Sequence, residues 1–153
     1  MRSRAREAIL PTMKRLIPLA LLLCIACPTG GNWGTELSRD LGDHEATMYH
    51  TAAVDAGLAD KVLDALVAVN YNFRGNLPEQ LDRVEGRLVL RLANDNEDAI
   101  AALLANGEAD GNAMYMHGLA REVSKAAGGE PVDIVLCKRT LDAPYYTVTW
   151  AEQ

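Results

Sequence analysis

A nucleophile needs a base within reach, and outside the N-terminal segment the chain offers one such pairing, Cys137 with His117. The spacing places His117 on the polar side of a helix with Arg121 and Lys125, while Cys137 falls in an apolar strand where a thiol packs as a small hydrophobe. A second group, Met114, Met116 and His117 in MYMH, has thioether and imidazole ligands suited to copper. Neighbouring helical residues diverge by about 100°, and Met116 falls on the apolar stripe, so other ligands would have to come from elsewhere. Asp43, His44, Glu45 and His50 are harder ligands of a zinc-binding type, yet they sit where acidic residues also favour a helix start. In a fourth group, Arg87 and Arg91, with Arg83 nearby, share a sheet face with Tyr145, Thr147 and Thr149. Guanidinium and hydroxyl groups there suit a partner or an anionic ligand; the plain alternative is a solvated face. Phosphate-loop, HExxH and GxSxG patterns are absent. These residues lead us to expect no cofactor, no metal site and no catalytic residue.

Several elements must position these groups. Val54, Leu58, Val62, Leu66 and Val69 recur at spacings of 4, 4, 4 and 3, which predicts a helix over residues 51–70. QLDRV-EG-RLVLRL predicts a hairpin turning at Glu85-Gly86, with Leu81 opposite Leu90 and Arg83 opposite Leu88. Leu88, Leu90 and Leu92 then face the core, and Arg87, Val89 and Arg91 the other side. Asn94 to Asn106 predicts a short helix with Asn94 as cap and Glu97 three residues on. A further helix opens at Asn112, buries Met116, Leu119, Ala120 and Val123, and stops at Gly128-Gly129. PVDIVLC and YYTVTW predict two neighbouring strands joined by KRTLDAP, with Val132, Ile134, Leu136, Tyr146, Val148 and Trp150 inward.

The order α-β-β-α-α-β-β predicts an α+β fold, a two-layer sandwich. Its sheet has four antiparallel strands with the helices on one face. One domain over residues 46–153 follows. Residues 28–45, with Gly30, Gly31 and Gly34, predict a flexible tether.

Ahead of the tether stands MKRLIPLALLLCIAC, Met13 to Cys27. Lys14 and Arg15 precede an apolar run from Leu16 to Ala26, which ends at a cysteine. This is the layout of an export signal. At 11 residues the run is shorter than the roughly 20 that span a bilayer. Residues 1–27 are therefore a signal peptide, and Met13 is a natural start within it. Ile25 and Ala26 before Cys27 resemble the bacterial lipoprotein box, although Cys24 stands where that box has Leu. The resemblance implies lipid on Cys27 and a membrane-anchored, exported domain; cleavage near Ala26 without lipid would give a soluble exported one.

The full chain carries a net charge of −6, and the first 27 residues carry +4, leaving −10 on the remaining 126. An acidic surplus argues against nucleic-acid binding, which requires clustered Lys and Arg. Of the three cysteines, Cys24, Cys27 and Cys137, two lie in the signal, so no disulfide framework is expected within one chain.

Gly129, Pro131, Val132, Ile134, Leu136 and Cys137 form a GxPVxIxLC strand motif. With the hairpin and helix before it, this motif resembles an uncharacterised bacterial exported and lipoprotein family over about residues 55–150. Lys138 departs from the Asp usual after its cysteine. The resemblance implies an α-β-β-α-β-β layout and assigns no activity or site residue. Together these features lead us to expect a non-catalytic cell-envelope domain that binds a protein or envelope component. The alternatives are a small metal-binding envelope protein or a thiol-dependent enzyme.

Overall fold

The computed structural model describes residues 33–73 and 77–150. The signal peptide, Cys27, Met13 and the first part of the expected tether lie outside the described residues. In chain order the elements are β1 (Thr35–Asp40), β2 (Glu45–His50), α1 (Ala56–Ala68), β3 (Glu79–Val84), β4 (Arg87–Asn94), α2 (Glu97–Asn106), α3 (Gly111–Ala126), β5 (Val132–Lys138) and β6 (Pro144–Trp150).

The expected four-stranded antiparallel sheet is overturned. The six strands form one mixed sheet whose spatial order follows the chain, β1 to β6. Three antiparallel hairpins, β1–β2, β3–β4 and β5–β6, lie side by side. The joints between them, β2–β3 and β4–β5, are parallel. The cause is the helices between hairpins: a helix runs back along the strand it follows, so the next strand starts from the same end. The two strands beyond the expected four come from residues 35–50. Gly34 and a polar run suggested a tether there, but Ala46, Met48 and His50 alternate with exposed or half-buried neighbours and face the core. Arg39 fastens the edge strand β1 to α1 through Asp60 (2.6 Å) and Asp64 (2.9 Å).

The central hairpin has the expected register: Leu81 pairs with Leu90 and Arg83 with Leu88. Glu85 (φ 51°) and Gly86 (φ 81°) both take left-handed backbone, the requirement of a two-residue type I′ turn. Helix starts are set by side-chain caps. Asp55 accepts from the Gly57 and Leu58 N–H groups, and Asp110 accepts from Asn112. Asn96, not Asn94, caps α2 by accepting from Ala99 at 3.1 Å. Asn94 instead accepts from the N–H of Asn96.

The helices cover one face of the sheet. Val62, Leu63 and Leu66 of α1 and Leu119 and Val123 of α3 pack onto Met48, Leu81, Leu88, Leu90 and Ile134. Full burial of each such side chain contributes about 1.5–3 kcal/mol. A smaller cluster, Trp33, Leu77, Ala93 and Leu141, covers one end of the open face. Among the described residues, no helix is long and apolar enough to cross a membrane.

Candidate functional site

β4 and β5 are parallel neighbours joined through α2 and α3, so both strands deliver their carboxyl ends to one edge of the sheet. In mixed and parallel sheets that edge is the usual place for a crevice. Here a cleft of about 290 Å³ opens there. Leu92, Ala93 and Leu136 come from the strands; Ala99 and Leu103 of α2 and Met116 of α3 add apolar surface. Polar groups interrupt this lining. They are Asn94 and Asn96 before α2, Asn112 and Tyr115 on α3, and Tyr145 on β6, with Tyr71 and Asn72 from the connection after α1. Lys, Arg and His are absent from this lining.

Glu79 is the acid in the cleft. As the first residue of β3 it shares the helix-covered face with Leu81, and only 3 % of it is exposed. Burial pushes its carboxyl up to about 8, against the opposing effect of the hydrogen bond donated by the Tyr71 hydroxyl at 3.4 Å. At neutral pH the uncharged form of Glu79 is therefore favoured. Burial also raises the Tyr115 and Tyr145 phenols. The Asn94 amide donates to the Tyr145 oxygen at 3.5 Å. The cleft thus presents uncharged donors and acceptors above an apolar floor. It has one carboxyl and no thiol or imidazole, which suits recognition rather than nucleophilic or paired acid–base chemistry.

The residues expected to form an open-face site are placed as follows. Arg87 and Arg91 do point away from the helices, and each is occupied by its neighbours. Arg87 makes a two-pronged pair with Asp133 at 2.8 and 2.9 Å. Arg91 donates to Asp82 at 2.8 Å and to Gln80 at 3.2 Å. Thr147 lies exposed on that face opposite Val135. Arg83 belongs to the other face and pairs with Glu130 at 2.7 Å. Tyr145 does not join the arginines. An irregularity between Leu136 and Cys137 shifts the β5–β6 register, and Tyr145 lines the cleft instead.

The remaining groups are dispersed. Cys137 is fully buried under the β5–β6 connection, donating to the Leu141 carbonyl at 3.4 Å. His117 sits in the helix layer against Glu108 at 2.6 Å, away from the thiol. Met116 packs against the core, while Met114 is exposed. Asp43 and His44 pair in the β1–β2 turn, and His50 is at the far end of β2, buried, with Nδ1 3.2 Å from the Thr51 carbonyl. Among the described residues, no three His, Cys, Asp or Glu side chains gather as a metal site.

Sequence reasoning missed the cleft. Asn94 read as a cap and Asn112 as a helix start, and Glu79 fell outside every pattern. The available signal was parity: Glu79 keeps the period-2 register of Leu81, which places a carboxyl on the buried face. In comparison with known proteins, the chain matches no family model, no curated protein and no solved structure.

Proposed function

We propose a non-catalytic binding domain of the cell envelope, anchored by lipid on Cys27, that holds a small envelope component in the cleft between the sheet, α2 and α3. The observation that carries this reading is the cleft itself: a neutral Glu79 carboxyl, asparagine amides and phenols converge over Leu92, Leu103 and Leu136. A few placed polar groups on an apolar lining are the usual make-up of a small-molecule site. The export-signal layout before Cys27 supports the anchor. The acidic surplus speaks against nucleic acid as a partner. Docking of an anion on the open face is less favoured, because Asp133 and Asp82 already engage Arg87 and Arg91.

The test has two parts. Intact mass of the protein from its host's membrane fraction is expected to show an N-terminal Cys27 with acyl mass. Hydrogen exchange of that full-length product, with the low-mass fraction of a host envelope extract added, is expected to slow at the ends of β4 and β5 and the start of α3. An unacylated product overturns the anchor. Exchange unchanged in these segments overturns the cleft as the binding site.

A further inference from the structure

We infer that the cleft takes a single neutral, polyhydroxylated ring, the chemistry of one sugar unit. The inference rests on the cleft being a binding site and goes further by naming its occupant. Size is the first argument. A cleft of about 290 Å³ lies at the small end of ligand pockets, which run from about 300 to 1,000 Å³, and so suits one ring better than a peptide.

Charge is the second. An anion would find no cationic side chain in the lining, and Glu97 and Asp98 occupy the first turn of α2 beside it. The third argument is the hydrogen-bond complement. Asn96 spends its side-chain oxygen on the Ala99 N–H, which leaves its amide NH₂ as a donor. Asn112 spends its NH₂ on Asp110 at 2.8 Å, which leaves its oxygen as an acceptor. A donor and an acceptor in one lining match a ligand rich in hydroxyl groups, each of which both donates and accepts hydrogen bonds. The fourth is the apolar component. A sugar ring has a C–H face as well as a hydroxyl edge, and Tyr115, 44 % exposed, offers an aromatic surface in the lining to cover it.

The experiment is a ¹H–¹⁵N titration of the full chain in a sugar-free detergent with four probes: glucose, N-acetylglucosamine, ethylamine and inorganic phosphate. Saturable shifts of the Asn96 and Asn112 side-chain amides and of the Tyr115 backbone are expected with at least one sugar. Tyr115→Ala should weaken that binding at least tenfold, while Thr147→Ala on the open face leaves it unchanged. Shifts at the same groups with ethylamine or phosphate, and none with either sugar, would overturn the ligand class and leave the cleft a binding site. No cleft shifts with any probe would overturn this inference, while the exchange experiment with envelope extract judges the binding site separately.

Discussion

The Glu79 carboxyl and the Tyr71 hydroxyl meet at 3.4 Å, one from the first residue of β3 and the other from the connection that follows α1. Their meeting ties the cleft to the way α1 returns the chain to the sheet. One long hydrogen bond does not offset the burial of an acid that is 3 % exposed, so the acid keeps its proton.

That proton has a consequence for stability. Glu79 titrates near 8 in the fold and near 4.5 in an open chain. Between those values the folded state holds a proton that the unfolded state has lost. Stability from this group is therefore full below about pH 4.5 and falls as pH rises, until about pH 8. Urea unfolding at pH 5 and pH 8 should show this fall, and Glu79→Gln should flatten it.

Asp82 is the keystone of the open-face pairing. It accepts from Thr51 (2.6 Å), from Arg91 (2.8 Å) and from the Arg83 N–H (2.8 Å). Burial raises its carboxyl, but these bonds outweigh burial and hold it below its usual value. Asp82→Ala should cost about 1–3 kcal/mol, because a half-buried Arg91 loses its carboxylate. Arg87→Ala should cost less, about 1 kcal/mol or under, since that guanidinium is one-third exposed. Denaturant midpoints would rank the two.

Gly34 holds the start of β1 against β2. Its φ of 111° suits glycine, and a Cβ there would run into the His50 carbonyl. Gly34→Ala should loosen β1 selectively. Amide exchange in β1 is expected to speed up while the paired β3–β4 amides stay protected.

Cys27 is the proposed anchor point. Cys27→Ser should move the protein from the detergent phase to the aqueous phase of a host-cell extract. Equal partitioning of variant and parent would remove lipid from the account.

Two of the three hairpins were legible because their signals are local. Glu85-Gly86 marks a turn, and alternation around it sets Leu81 against Leu90. The β5–β6 pair was legible for the same reason. Pairing between hairpins is not local, and the parallel joints depend on where helices return the chain. β2 was hidden because His50 puts a polar side chain at a buried position beside a glycine-rich run. Tyr145 was assigned to the wrong face because one irregular residue in a strand pair reverses the side on which the next residue emerges. For Glu79 only the face was legible, through its parity with Leu81; the cleft around it is built by segments far from it in the chain.

The most direct measurement is native mass spectrometry of the full chain purified from its host's membranes, parent beside Ala99→Trp, which fills the cleft wall. The account predicts a small non-covalent mass, one per chain, on the parent and its loss from the variant, with both chains folded by circular dichroism. The same bound mass on both proteins, or none on the parent, would contradict it.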